Sequence, residues 1–180
     1  MKLKNILEAM EKQAKEYATQ KHSKQKRKFS GEPYVEHPKR VAELIRKYKS
    51  SKNKDELISA ALLHDTIEDT DTTEEDLKKL FGGLITSLVK ELSSEKEQIE
   101  KIGKDDYLSG KMLDMSSWAL TIKLADRLDN VSDLLDSNEK FRDRYSKETK
   151  SILQKLEKGR TLSDTQKKLV TAIKEKLAEL

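Results

Sequence analysis

Three stretches of this chain carry side chains that could do chemistry together: His37; the block His64-Asp65 with Glu68-Asp69; and Asp126 with Asn130. Two imidazoles and a group of carboxylates are the donor set of a borderline divalent ion, which accepts both nitrogen and oxygen. An acidic pair one turn beyond a His-Asp pair adds what metal-assisted hydrolysis needs beyond the ligands, a group that holds and deprotonates water. If residues 55–69 form one helix, then at about 100° per residue His64, Asp65, Glu68 and Asp69 fall within about a 140° arc of one face. Leu57, Ile58 and Ala61 project onto the same arc. Ionisable groups thus interrupt a core-facing stripe, and burying them uncompensated would cost many kcal/mol. The plain alternative is that this arc faces solvent and its acids cap a helix end.

In LTIKLADRLDNV, residues 120–131, Asp126 and Asn130 stand four apart and share a helix face. Leu124, Ala125 and Leu128 surround Asp126 with apolar surface. A buried Asp paired with Arg127 or another cation is the competing reading, and Lys123 reads equally as a partner of Asp126 or as a solvated lysine. His37 leaves a Pro-rich loop just before a helix, and in isolation it fits a structural histidine as well as a ligand. His22 lies inside the basic run KHSKQKRK, residues 21–28, and reads as exposed.

Helix signals dominate the elements that must hold these groups. A first amphipathic helix spans about residues 3–21, with Leu3, Ile6, Leu7 and Met10 on its apolar side. KFSGEPYVEHP, with the chain's two prolines, is a loop, and Pro38 starts the next helix, PKRVAELIRKYK. Thr72-x-x-Glu75 reads as a capping box opening a helix that stops at Gly82-Gly83, followed by another over about 83–92. SSEKEQIEKIGKDD reads as a mobile or exposed turn, and the helical segment after it as interrupted near Gly110. Two charged helices, about 138–157 and 163–179, complete an all-α helical bundle. The chain reads as one domain over residues 1–180, with a core of about 21–136.

Composition narrows the class. Of 180 residues 34% are hydrophobic and 39% charged, a balance that would suit disorder were the apolar residues not set at helical spacing. The absence of cysteine removes disulfides and thiolate ligands and fits a reducing compartment. No apolar stretch nears the roughly 20 residues of a membrane span, and the N-terminus lacks a signal peptide's apolar core. A cytoplasmic protein is the simplest expectation. The basic run suits an anionic small molecule; with 37 basic residues against 33 acidic and no interleaved aromatics, nucleic acid is an unlikely partner.

The ordered blocks QKRKFSGEPYVEHP, AALLHDTIEDT and TIKLADRLDN, from about Lys21 to Leu135, resemble the HD-domain hydrolases of the RelA/SpoT superfamily. Among these the likeness is greatest to the short, stand-alone small alarmone hydrolases. The resemblance implies an HD-domain helical bundle that removes the 3′-pyrophosphate of guanosine tetra- or pentaphosphate (ppGpp or pppGpp), yielding GDP or GTP. It implies His37, His64, Asp65 and Asp126 as ligands of Mn²⁺, or of another divalent ion, and Glu68-Asp69 as the pair that orients or deprotonates water. Arg27, Lys28 and Asn130 are implied as contacts to the nucleotide. Phe29 adds a residue between RK and SGEPY, which bears on which basic residue meets which phosphate, and Asp129 stands where the family more often has His or Tyr, which bears on substrate fit. A synthetase domain is not expected in so short a chain. An HD phosphohydrolase of another nucleotide, NADPH included, and a catalytically silent nucleotide-binding module are the alternatives. A homo-oligomer is compatible with the two C-terminal helices.

Overall fold

The structure, a computed structural model, describes residues 2–50 and 53–180, with side chains from residue 5 onward. Leu3 of the apolar stripe therefore lies outside the described side chains. Among the described residues regular structure is entirely helical; the one departure is an isolated antiparallel bridge between Lys26 and Pro33 that closes the Pro-rich loop. The chain divides into two compact units, up to Ser93 and Ser94–Leu180.

The first unit is built around α3 (Lys54–Leu63), which packs against α1 (Lys2–Lys21), α2 (Glu36–Tyr48) and α5 (Glu74–Leu92). A helix flanked on several sides must be apolar all round, and Leu57 to Leu63 are buried without a break. Ala60 and Ala61 have no exposed surface, and α1 meets the core through Ala14 and Ala18, equally buried. Small residues here let the backbones approach closely. Ile6, expected on the apolar side of α1, is instead 57% exposed.

Four boundaries differ from expectation, each for a local reason. Helix α3 ends at Leu63 rather than running to Asp69, and a four-residue turn, α4 (Thr66–Asp69), follows after His64-Asp65. Side chains replace the ladder there: His64 Nδ1 takes the Ala61 carbonyl at 2.8 Å and Thr66 Oγ1 takes that of Leu63 at 2.7 Å. The capping box lies one residue later than Thr72/Glu75, on Thr73 and Asp76, whose side chains each accept the other's backbone N–H. Thr72 is engaged elsewhere, receiving the Tyr17 hydroxyl at 3.2 Å. Helical structure resumes directly after Gly82, whose φ of 80° kinks α5 and favours glycine there. Pro38 is the third residue of α2, not its first.

In the second unit the polar stretch is helical, forming α6 (Lys96–Ile102) and opening α7 (Lys104–Asp114), which runs through Gly110 and stops at Met115. A glycine inside a helix weakens it but does not end it. The central element is α8 (Ser117–Ser132), packed against α9 (Glu139–Gly159) and α10 (Asp164–Ala178). Arg160 ties the end of α7 to the α9–α10 turn, donating to the carbonyls of Met112, Leu113 and Met115 at 2.7–3.2 Å. Among the described residues no helix is long and apolar enough to cross a membrane.

Candidate metal centre and the residues around it

The break between α3 and α4 places His64 and Asp65 beside the first turn of α2, which carries His37. Both imidazoles are 1% exposed, and their ring centroids lie 5.1 Å apart at 69°. Asp65 Oδ2 stands 2.9 Å from His64 Nε2 and 3.6 Å from His37 Nε2. Because the Ala61 carbonyl only accepts, His64 Nδ1 must carry a proton, and a neutral ring then turns its Nε2 lone pair toward a carboxylate oxygen. Two electron-pair donors at that distance call for a shared cation, either a proton or a metal ion.

Tyr34, in the Pro-rich loop, is the hub of this group. Its hydroxyl reaches Asp65 Oδ2 at 2.7 Å and Asp69 Oδ2 at 3.2 Å, and its ring meets those of His37 at 5.8 Å and His22 at 4.9 Å. The Asp69 carboxyl is held above the ordinary carboxylate range, first by desolvation and then by the negative charges of Asp65 and Glu68. Its side chain still reaches solvent, so this desolvation is that of a crowded rim rather than of a deep core. Arg27 lies with its guanidinium 5.8 Å from the Tyr34 ring centroid, while Lys28 is exposed and stands over Phe29 at 5.4 Å. The turn carrying both is closed by Gly31, whose N–H donates to the Arg27 carbonyl at 3.1 Å.

In the second unit Asp126 is buried at 6% exposure on α8. Its carboxylate accepts from Asn130 Nδ2 at 2.6 Å and pairs with Lys123 Nζ at 2.9 Å. Both i,i+4 and i,i+3 neighbours are thus bound to it, and Lys123 is neither solvated nor remote. Arg127, the other cation weighed as a partner, turns to Glu148 at 3.2 Å and Thr149 at 2.9 Å. Asp129, the departure in the third block, is buried as well.

His22 corrects an expectation. It is 1% exposed rather than solvated, because the chain leaves α1 in a tight turn that folds the ring under Tyr34. Tyr34 and Gln25 were not singled out in the sequence, and His22 was weighed only as an exposed residue of the basic run. The one legible trace was Tyr34, the lone aromatic in a Gly/Pro loop; two polar residues inside a charge run give no such sign.

Residues 14–161 match the HD domain family. The chain belongs to that family. This HD-domain chain is 41% identical over 148 residues to the guanosine-3′,5′-bis(diphosphate) 3′-pyrophosphohydrolase of Aquifex aeolicus, covering 77% of this chain and 20% of that one. It is 37% identical over 119 residues to the Danio rerio guanosine-3′,5′-bis(diphosphate) 3′-pyrophosphohydrolase MESH1, covering 66% of this chain and 65% of the relative. The GTP pyrophosphokinase rsh of Brucella ovis is 37% identical over 161 residues, covering 82% of this chain and 20% of its own. The HD-domain chain therefore spans about a fifth of the bacterial relatives' length. Among solved structures it resembles one described as a metazoan ortholog of SpoT that hydrolyzes ppGpp, with TM-score 0.77, 30% identity, and coverage of 93% of this chain and 95% of that one.

Proposed function

We propose that this HD-domain chain is a divalent-metal-dependent pyrophosphohydrolase that removes the 3′-pyrophosphate of ppGpp and pppGpp, giving GDP or GTP and pyrophosphate. The observation that carries the reading is the convergence of His37 and His64 Nε2 on one Asp65 carboxylate oxygen, in a buried setting. The donor set fits a metal ion: the Ala61 carbonyl fixes the proton of His64 on Nδ1, and an imidazole so oriented has its other nitrogen free of hydrogen for coordination. His37, His64 and Asp65 would hold the ion, with Asp126 as a further carboxylate ligand. Mn²⁺ suits two nitrogens and two oxygens. When bound, such an ion lowers the pKa of water and polarises a phosphoryl oxygen.

The chain's own residues do the rest. A carboxylate oxygen of Glu68 or Asp69 orients the attacking water and takes its proton, and the two acids work as a pair rather than as one assigned base. Tyr34 holds Asp65 and Asp69 by one hydroxyl, so the ligand and the water-orienting acid keep a fixed separation. Arg27 and Lys28 neutralise the polyphosphate, Arg by a bidentate grip and Lys as a point charge. Asn130, which donates to Asp126, would contact the ribose or base. The names of the relatives, pyrophosphohydrolases of guanosine-3′,5′-bis(diphosphate) among them, favour this substrate class.

The test is a product-resolved assay with Mn²⁺ and ppGpp. Pyrophosphate and GDP in equal amounts support the reading. Release of single phosphates, or turnover of NADPH in preference to ppGpp, would move the chain to another nucleotide, and binding without turnover would make it a silent module.

A further inference from the structure

His22 has no part in the chemistry above, yet it is buried and connected to it through hydrogen bonds whose directions are fixed. The carbonyl oxygen of Asp69 can only accept, so the Gln25 side-chain nitrogen that lies 2.7 Å from it must be the NH₂ group. That leaves the Gln25 amide oxygen facing His22 Nδ1 at 2.6 Å, so this nitrogen carries the imidazole proton. The backbone reinforces the link, with Gln25 N–H donating to the His22 carbonyl at 2.9 Å and Tyr34 N–H to that of Gln25 at 3.0 Å. One face of the His22 ring lies against Tyr34 at 4.9 Å and 34°, under the residue whose hydroxyl joins Asp65 to Asp69.

We propose that His22 and Gln25 are positioning residues of the hydrolase: a directed relay, His22 Nδ1–H to Gln25 and Gln25 NH₂ to the Asp69 carbonyl, that with the ring contact to Tyr34 fixes where the Asp69 carboxylate meets water. The inference rests on the proposed function for its kinetic consequence, but not for the relay. Asp69 sits at the last position of a four-residue helical turn at the rim of the site. So short a turn is not self-supporting, and the Gln25 amide supplies an anchor from outside it. A base displaced by about 1 Å costs on the order of 100-fold in rate.

Two substitutions separate the relay's parts. His22→Phe keeps a ring against Tyr34 but removes the donor, whereas His22→Asn keeps an N–H near Nδ1 and removes the ring. Gln25→Leu cuts the relay at its middle. For the full chain loaded with Mn²⁺, assayed well below its melting temperature, His22→Phe and Gln25→Leu are expected to lose roughly 10- to 100-fold in kcat. KM for ppGpp and bound metal should stay within about twofold, because neither residue is a ligand or a phosphate contact. His22→Asn should recover much of the rate. Nitrogen-15 spectra of the imidazole should show His22 protonated on Nδ1, and this signal should alter in Gln25→Leu. A wild-type rate for both His22→Phe and Gln25→Leu, or a His22 protonated on Nε2, overturns the proposal. A wild type inactive on ppGpp overturns the substrate reading alone, and the spectrum then still decides the relay.

Discussion

His64 Nδ1 lies 2.8 Å from the carbonyl oxygen of Ala61, one turn back along α3. That contact does two things at once. It takes a carbonyl that the helix would otherwise use, which helps to end α3 at Leu63, and it fixes the proton on the ring nitrogen remote from Asp65. The end of the helix and the tautomer of His64 therefore have one cause. His64 Nε2 stands 2.9 Å from Asp65 Oδ2, where a neutral ring would turn its lone pair toward a negative oxygen. Such a pair is unfavourable in a buried setting until a cation joins it.

Asp65→Ala should therefore lose the bound divalent ion together with activity. Metal content per chain after dialysis, measured by elemental analysis, gives the answer directly; a full complement of metal in the variant would remove Asp65 from the ligand set. The same measurement on Asp126→Ala tests its proposed part in the ligand set; a full complement of metal in that variant would remove it.

Tyr34→Phe removes one hydroxyl and almost no volume. Its ring contacts with His22 and His37 persist, so the effect isolates the hydrogen bonds to Asp65 and Asp69 at 2.7 and 3.2 Å. Hydrogen-bond partners of metal ligands are worth roughly 10- to 100-fold in metal affinity or activity. Titration of the metal-free variant with Mn²⁺ should show weaker binding in that range, and an unchanged affinity with unchanged kcat would reduce Tyr34 to packing.

Glu68→Gln keeps the size of the side chain and removes its basicity. Metal and nucleotide binding should persist while turnover falls by roughly 10²–10⁴-fold, the usual contribution of a positioned acid or base. Single-turnover measurement distinguishes a chemical defect from slow product release. Turnover near that of the wild type would leave Asp69 as the group that takes the proton.

How far the sequence spoke depended on the range of the physics involved. Leu57 to Leu63 announced a buried helix because periodicity and composition are local, and Asp126 with Asn130 announced their own contact because four residues along a helix bring side chains together. The break at His64-Asp65 was hidden, since residues 55–69 read as one unbroken helix and the reason for stopping is a side chain bonding back to the backbone. His22 was hidden for the opposite reason. Its neighbours in sequence are charged and exposed, and only the fold of a loop twelve residues later, at Tyr34, buries it. His37, which in isolation fits a structural histidine as well as a ligand, comes beside His64 and Asp65 only once α2 and α3 pack together. Gly82 was legible as a stop, but not as a kink within continuing helix, because a single positive φ is compatible with either.

The capping box offers a test of the local geometry that is independent of function. Thr73 Oγ1 accepts the Asp76 N–H at 3.1 Å and the Asp76 carboxylate accepts the Thr73 N–H at 3.0 Å, an arrangement that holds the Asp76 carboxyl below the ordinary carboxylate range through the Thr73 hydroxyl and backbone. Glu75, one residue earlier, has no part in it and is exposed. Thr73→Ala should cost about 1 kcal/mol of stability, the typical worth of a helix N-cap, whereas Glu75→Ala should stay within about 0.5 kcal/mol, as exposed substitutions do. Urea unfolding of the two variants, read as a shift of the midpoint at constant slope, separates them. Equal shifts would return the helix start to Thr72 and Glu75; a loss confined to Thr73→Ala places α5, and with it the wall behind α3, where the structure has it.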